Sequence, residues 1–193
     1  MDNKLKLIKD TFGFDKFKVD ESFAGITALK VGGPAKLFVI AFTQNEIIKL
    51  ITYCRQLKVP FMIFGTGSKM MISDKGFDGL VIKNRTRGIK IASIKGKVSR
   101  VGIGVDEAMV EVESGVSMNN FTDYLKAQGL LYGDFTNIPG SIGGNLFLNQ
   151  VLQSRAQEIK VLNLNGKVEN RKPYEVSLSK HIILSAVLKI KAY

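Results

Sequence analysis

The sequence of 193 residues contains no tryptophan, one cysteine and one histidine. A single cysteine, Cys54, cannot form an intramolecular disulfide, so a reducing cytoplasm is the expected compartment. Together with the one histidine, His181, it does not make a metal site, and we expect no metal. No apolar run approaches the roughly 20 residues that a membrane-spanning helix needs, and the first residues lack the apolar stretch of a signal peptide. We therefore expect no membrane partner.

Arginine is scarce as well, although the chain is basic. The net charge is +11, yet only six of the 28 basic residues are arginine, and the lysines are spread along the chain. Two interpretations stay open, namely an anionic partner such as a nucleotide cofactor and a merely lysine-rich composition. A nucleic-acid binder is the weakest alternative, because arginine clusters and aromatic stacking motifs are missing. We expect no nucleic-acid partner.

The composition is that of a folded protein, with 45% hydrophobic and 23% charged residues. Residues 36–64 have the pattern of a strand, a helix and a second strand. Thr43 and Glu46 form a capping box at the start of the helix. The apolar stripe of this helix is predicted to contain Ile47, Ile48, Ile51, Cys54 and Leu57. Cys54 is therefore expected to be a core residue and not a reactive thiol.

The pattern changes near residue 86, where short β-segments begin to dominate. A hairpin turn is predicted at Lys95–Lys97, a helix capped by Ser117 follows, and Asn165-Gly166 is a strong signal for a second hairpin. Residues 182–190 read as a last strand. We predict an α+β fold with a first lobe over residues 1–86 and a second lobe over residues 87–193.

Two glycine-rich segments carry the chemistry. Gly65–Ser68 directly follows the predicted strand 61–64, and its backbone N–H groups can form a concave nest for anionic oxygens. Pro139–Asn145 places three glycines and a proline before an apolar run, which frees further N–H groups. Either segment taken alone is also compatible with an ordinary turn. Neither is a Walker loop or a Rossmann fingerprint.

Five blocks resemble the UDP-N-acetylenolpyruvoylglucosamine reductase family in order and spacing. The similar segments lie within residues 25–190 and are Thr27–Ala35, Phe64–Ser68, Ile72–Gly79, Gly115–Ser117 with Gln128–Leu130, and Ile138–Asn145. The resemblance implies a two-lobed FAD-binding domain of the type shared with vanillyl-alcohol-oxidase-like flavoproteins. In the family a separate substrate-binding domain follows.

The family reduces an enolpyruvyl ether on UDP-N-acetylglucosamine to a lactyl ether, which makes UDP-N-acetylmuramate for the bacterial cell wall. NADPH is the co-substrate, FAD carries the hydride, and a serine protonates the resulting enol. The resemblance thus implies an oxidoreductase with FAD as cofactor and a nucleotide sugar as substrate. The protein supplies position and electrostatics to the cofactor's chemistry.

The resemblance assigns two groups of residues to the FAD pyrophosphate. The first group is Gly65, Thr66, Gly67, Ser68, Lys69 and Met70. The second group is Pro139, Gly140, Ser141, Gly143, Gly144 and Asn145. The proton donor corresponds to Ser177, because Tyr174, Ser177 and Lys180 match the family pattern around the serine.

Some positions depart from the family. Glu175 stands where the family has arginine, Ser179 where it has phenylalanine, and Lys69 where it has asparagine. The family's third domain is expected to begin near the end of this sequence, so we expect catalysis only with a partner chain that supplies it. The alternative is a non-catalytic remnant that serves as a flavin-binding or interaction module.

Overall fold

The computed structural model describes residues 2–27, 30–99 and 102–192. Two residues of the segment Thr27–Ala35, Ala28 and Leu29, lie outside these ranges. The chain divides into two compact units, Met1–Thr86 and Arg87–Tyr193. The division falls where the sequence changes from a strand–helix–strand pattern to short β-segments.

The first unit combines helices with a four-stranded sheet. Its elements in chain order are α1 (Asn3–Phe12), a 3-10 helix (Phe14–Lys16), β1 (Phe17–Ser22), a 3-10 helix (Phe23–Gly25), β2 (Pro34–Ala41), α2 (Gln44–Leu57), β3 (Phe61–Phe64) and β4 (Phe77–Asn84). The predicted strand–helix–strand unit is confirmed as β2, α2 and β3. Its two strands are not neighbours, because β4 lies between them in the order β1-β2-β4-β3.

Three strands of this sheet run in the same direction. β4 pairs in parallel with β2 on one side and with β3 on the other, whereas β1 is antiparallel to β2. The carboxyl ends of β2, β4 and β3 therefore meet at one edge of the sheet. The chain leaves β3 at that edge, and its next residues are the first glycine segment.

The predicted capping box opens α2. Thr43 Oγ1 accepts a hydrogen bond from the Glu46 N–H at 3.1 Å, and Glu46 Oε2 accepts from the N–H of Thr43 at 3.2 Å. Partial burial alone would raise the pKa of Glu46, but the N–H groups of Phe42 and Thr43 and the ammonium of Lys16 lower it on balance. Its ionised form is thus part of the helix start.

The buried stripe of α2 differs slightly from the predicted one. Ile47, Leu50, Ile51 and Cys54 are buried, whereas Ile48 and Leu57 of the predicted stripe are only half-buried. Leu50 lies one turn before Cys54 on the side that faces the core. Burial raises the pKa of the Cys54 thiol to about 12, which keeps it protonated and confirms it as a core residue.

The second unit is built on a five-stranded antiparallel sheet. Its elements are β5 (Ile89–Ser99), β6 (Gly102–Glu113), α3 (Met118–Ala127), a 3-10 helix (Gly133–Phe135), α4 (Ile142–Leu148), α5 (Gln150–Arg155), β7 (Ala156–Asn163), β8 (Val168–Arg171), a 3-10 helix (Pro173–Glu175) and β9 (His181–Lys191). The strand order is β5-β6-β9-β7-β8. Ser117 caps α3 as predicted, through a 3.2 Å bond from the Asn120 N–H.

The hairpin turn predicted at Lys95–Lys97 is wrong. These residues continue β5, where Lys95 pairs with Glu107 and Gly96 pairs with Val105 across an irregularity in the register. The register passes over Asp106, so β6 carries the extra residue and β5 continues through Gly96 without a reversal. β5 and β6 pair as far as Ser99 and Gly102, and residues 100–101 lie outside the described residues.

The hairpin predicted around Asn165-Gly166 is confirmed by the pairing of β7 with β8. Asn163 closes the connection, because its carbonyl accepts from the Gly166 N–H and its side chain accepts from the N–H groups of Asn165 and Lys167. The core of this unit lies between the sheet and α3–α5, with Phe121 and Phe135 in an edge-to-face contact at 5.5 Å. Among the described residues, no helix is long and apolar enough to cross a membrane.

The capping box predicts a stability effect. Thr43→Ala removes the acceptor for the Glu46 N–H, so we expect the free energy of unfolding to fall by about 1 kcal/mol. Urea or guanidinium unfolding followed by circular dichroism measures the change. Asn45→Ala, an exposed neighbour within the first turn, is the control and should not destabilise. Equal stability of Thr43→Ala and the unmodified chain would contradict the capping role.

Candidate functional site

The first glycine segment, Gly65–Met70, leaves β3 at the carboxyl edge of the parallel strands. Gly67 is buried and has a φ of +73°, in the region that favours glycine. A Cβ at this position would lie 3.2 Å from the carbonyl oxygen of Ile26 and 3.4 Å from the ring of Phe64. Both the backbone conformation and the close packing therefore require glycine at residue 67.

The backbone N–H groups of this turn are available to a ligand. Within the described parts of the chain, the N–H groups of Thr66, Gly67 and Ser68 donate to no protein acceptor. The Thr66 hydroxyl donates to Ser68 Oγ at 3.2 Å, which holds the two side chains on the same turn. Successive free N–H groups with hydroxyls beside them are the donor set that binds anionic oxygens.

The last two residues of the segment differ in their surroundings. Lys69 is exposed. Met70 is half-buried and packs against the cluster that contains Phe23, Phe38 and Phe64. The side chain of Met70 thus anchors the end of the turn to the core of the first unit.

The second glycine segment, Pro139–Asn145, is bound to the loop between β6 and α3. The Met118 N–H donates to the Gly140 carbonyl at 3.0 Å, and the Ile142 N–H donates to the Val116 carbonyl at 2.9 Å. Ser141 lies opposite Ser117 in this short antiparallel bridge. The bridge fixes the backbone of the segment before α4 begins.

The glycines at 143 and 144 have different roles. The Gly143 N–H donates to the Ser114 carbonyl at 2.9 Å, and a Cβ on Gly143 would lie 3.0 Å from Ser114 Cβ. Gly143 is therefore required for packing, and its N–H is already used. Gly144 is exposed, and its nearest contact would be Ser141 Oγ at 3.9 Å.

The buried side chain of Asn145 stabilises the segment through two hydrogen bonds. Its side chain is 1% exposed, and its amide donates to the carbonyls of Pro139 and Ser141, both at 3.1 Å. With Gly143 also paired, the N–H groups that donate to no acceptor within the described residues are those of Gly140, Ser141 and Gly144. The second segment thus offers fewer donors than the sequence indicated.

Ser177, the predicted proton donor, lies in the turn before β9 and is half-buried. Its carbonyl accepts from the N–H groups of Lys180 and His181, and its own N–H donates to His181 Nδ1 at 3.1 Å. The hydroxyl lies 2.9 Å from Ser179 Oγ. These bonds hold Ser177 in place, and among the described residues the partner of its hydroxyl is another serine. The accompanying Tyr174 is 85% exposed.

Glu175, which replaces the family's arginine, has a local structural role. Its carboxylate accepts from the Lys172 N–H at 2.9 Å and caps the 3-10 helix at Pro173–Glu175. An arginine has no acceptor and could not close this bond. Among the described residues, no group of three His, Cys, Asp or Glu side chains is placed to hold a metal ion.

Sequence reasoning missed Lys83. It follows three buried residues in β4 and pairs in register with Phe64, the last residue before the first turn. Its Nζ lies 3.5 Å from the Ile26 carbonyl oxygen and 5.9 Å from the centroid of the Phe64 ring. A lone lysine at the end of an apolar run has no local signal of function, because only the strand register places it beside Gly65.

The two neighbouring glycines of α4 make opposite predictions. Gly143→Ala places a methyl group against Ser114 and should destabilise the chain by about 1–3 kcal/mol. Gly144→Ala enters open space in a helix and should stabilise it by up to about 1 kcal/mol. Thermal unfolding of both variants measures the difference. Equal melting temperatures would show that Gly143 is not held against Ser114 as described.

Comparison with known proteins identifies the family. The family of FAD binding domains matches residues 35–168, well over half of the chain and a range that includes both glycine segments. The UDP-N-acetylenolpyruvoylglucosamine reductase of Caldanaerobacter subterraneus subsp. tengcongensis is 26% identical over 83% of this chain and 51% of its own length. That of Clostridium botulinum is 30% identical over 86% of this chain and 52% of its own length. The chain thus spans about half the length of these relatives.

Solved structures agree on the fold. UDP-N-acetylenolpyruvylglucosamine reductase from Thermus caldophilus aligns with a TM-score of 0.65 at 19% identity, over 91% of this chain and 62% of that one. p-Cresol methylhydroxylase aligns with a TM-score of 0.63 at 14% identity, over 98% of this chain and 43% of that one. The predicted fold class, a two-lobed α+β FAD-binding domain of the vanillyl-alcohol-oxidase type, is confirmed. The chain therefore belongs to the family of FAD binding domains, and it is similar to about half the length of the UDP-N-acetylenolpyruvoylglucosamine reductases named above.

Proposed function

We propose that the chain binds FAD and that the first glycine segment, Gly65–Met70, holds the pyrophosphate with its backbone N–H groups. The second segment, Pro139–Asn145, offers N–H groups of the same kind within the other unit. The observation that carries the proposal is the match to the FAD-binding family over residues 35–168. In that range Thr66, Gly67 and Ser68 keep N–H groups that have no acceptor among the described residues. Gly140, Ser141 and Gly144 do so in the second segment. Of these residues Gly67 and Ser141 are buried and Thr66 and Gly144 are exposed, so the two segments present donors that a ligand or water can reach.

The energetics favour a charged ligand at these donors. A hydrogen bond to an ionised acceptor contributes about 1.5–3 kcal/mol, roughly twice the value for neutral partners. Several such bonds to one pyrophosphate offset the cost of ordering a long, flexible cofactor. The dinucleotide's anionic centre is thus the part of FAD that these turns fit best. Lys69, exposed beside the first turn, adds positive charge near that centre.

We further propose that the chain takes part in the reduction of an enolpyruvyl ether on a nucleotide sugar, with NADPH as the source of hydride. Bound FAD supplies hydride transfer between NADPH and the alkene, which the protein's own side chains cannot carry out. The relatives that this chain matches are named UDP-N-acetylenolpyruvoylglucosamine reductase, and the chain spans about half of their length. The product of the reduction is a lactyl ether.

Ser177 is the proposed proton donor of this reaction. When hydride adds to one carbon of the alkene, the other carbon gains an electron pair and needs a proton. The turn that carries Ser177 is held by backbone bonds and by the bond from the Ser177 N–H to His181 Nδ1. Within the described residues the Ser177 hydroxyl bonds to a neutral hydroxyl and not to a charged group. The Ser179 hydroxyl, 2.9 Å away, is the neighbour of Ser177 in this turn and has no assigned part in the proton transfer.

FAD binding predicts a stabilised chain. A ligand that binds only the folded state stabilises it by about 2.7 kcal/mol at a hundredfold excess over Kd. We therefore expect FAD to raise the melting temperature and to give a yellow, flavin-containing protein after gel filtration. An equal melting shift with a nucleotide of the same charge that lacks flavin would point to unspecific charge attraction.

The contribution of the second segment is tested at Gly144, whose side of the helix is open. Gly144→Val should weaken FAD binding by blocking approach to its N–H, whereas Gly133→Val, which also enters open space, should not. Gly67→Val and Gly143→Val are less suitable tests of FAD binding, because the added atoms at those positions would clash with neighbouring residues of the chain. Unchanged affinity in Gly144→Val would remove the second segment from the proposed site.

Removal of the Ser177 hydroxyl should separate the two half-reactions. In preparations that form product, we expect Ser177→Ala to slow UDP-N-acetylmuramate formation by about 10²–10⁴-fold and to leave flavin reduction by NADPH unchanged. Ser179→Ala breaks the same hydroxyl contact but keeps the proposed donor, so it is the matched control. Stopped-flow absorbance and product analysis give the two rates. If both variants lose product formation equally, the hydroxyl pair has a structural role.

A further inference from the structure

Lys83 and Gly67 share the same two neighbours in the first unit. Lys83 Nζ lies 3.5 Å from the Ile26 carbonyl oxygen and over the Phe64 ring. A Cβ on Gly67 would lie 3.2 Å from that oxygen and 3.4 Å from that ring. Because both atoms are close to the Ile26 carbonyl oxygen, the distance from Lys83 Nζ to a Cβ on Gly67 cannot exceed the sum of these two distances. Lys83 and the first turn thus pack around the same carbonyl oxygen and the same aromatic ring.

Lys83 is half-buried and has no carboxylate partner within the described ranges of the chain. Other strand lysines are paired, for example Lys36 at 3.2 Å from Asp20 and Lys189 at 2.9 Å from Glu107. Partial burial lowers the pKa of Lys83, and the nearby charge of Arg85 lowers it further. The protein around Lys83 therefore leaves its positive charge uncompensated.

An uncompensated ammonium in a partly desolvated position favours an anion as neighbour. The carbonyl of Ile26 and the face of the Phe64 ring attract and orient the ammonium, but neither neutralises it. The N–H groups of Thr66–Ser68, on the turn that follows Phe64, donate to no acceptor in the part of the chain that the structure describes. Both sets of donors attract the same class of ligand, an oxyanion of low pKa such as a phosphate.

We propose that Lys83 is an anion-binding residue of the first turn and supplies the full positive charge for a phosphate held by the N–H groups of Thr66–Ser68. The inference rests on the proposed function, in which that phosphate belongs to the pyrophosphate of FAD. The backbone donors set the position of the phosphate, and the ammonium adds a compact charge that a strand holds in place. Lys83 is then the residue that makes FAD affinity at this turn depend on salt.

The test compares charge removal at Lys83 with the same change elsewhere. Lys83→Met keeps the aliphatic stem on Phe64 and removes the ammonium, whereas Lys49→Met removes one charge from the exposed side of α2. FAD and ADP are titrated into the full chain at several salt concentrations. We expect Lys83→Met to weaken both by about tenfold or more, with a shallower salt dependence. Lys49→Met should stay within about twofold of the unmodified chain.

A structural role for Lys83 is distinguished by two further measurements. Lys83→Arg keeps the charge and should recover most of the affinity, and unliganded Lys83→Met should melt no lower than the unmodified chain. A lowered melting temperature without rescue by arginine would assign Lys83 to tethering Ile26 and overturn the inference. Equal FAD affinity of Lys83→Met and Lys49→Met would overturn it while leaving the proposed function intact. No binding of FAD to the unmodified chain would overturn both.

Discussion

The parallel pairing of β3 with β4 is the constraint on which the first glycine turn depends. It places Phe64 opposite Lys83 and brings the carboxyl ends of three strands to one edge. The chain must turn at that edge, and the turn is so close to Ile26 that only glycine fits at residue 67. Because the turn lies outside the sheet, its N–H groups have no strand to pair with. The free donors thus follow from the topology of the sheet.

The second glycine segment also presents backbone N–H groups, but different contacts fix its backbone. Here the backbone is fixed by a bridge to the loop after β6 and by the buried amide of Asn145, which bonds the carbonyls of Pro139 and Ser141. The hydrogen bonds of this segment therefore use some of its backbone N–H and carbonyl groups, which are no longer available to a ligand. Gly143 illustrates this, because its lack of a side chain serves the contact with Ser114. A glycine-rich motif is therefore a mixture of residues that permit packing and residues that expose N–H groups.

Much of the fold was predictable from local patterns. The capping box of α2, the strand–helix–strand order and the hairpin at Asn165-Gly166 are encoded within a few residues of one another. The turn predicted at Lys95–Lys97 was wrong, because Gly96 lies inside a long strand, opposite a bulge in β6, and not at a reversal. Leu50 was missed and Ile48 overestimated, because the buried side of a helix is decided by the sheet it covers.

The sequence by itself determined where the glycine segments lie, which family they resemble and which serine follows the family pattern. These features are contiguous along the chain, so short-range spacing is sufficient to recognise them. Only the tertiary structure decided which N–H groups remain unpaired among the described residues, that Glu175 caps a 3-10 helix, and that Lys83 contacts Ile26 and Phe64, which also flank Gly67. Lys83 and Ile26 are far apart in sequence and meet through strand register. Register depends on the packing of the whole sheet, which no local pattern specifies.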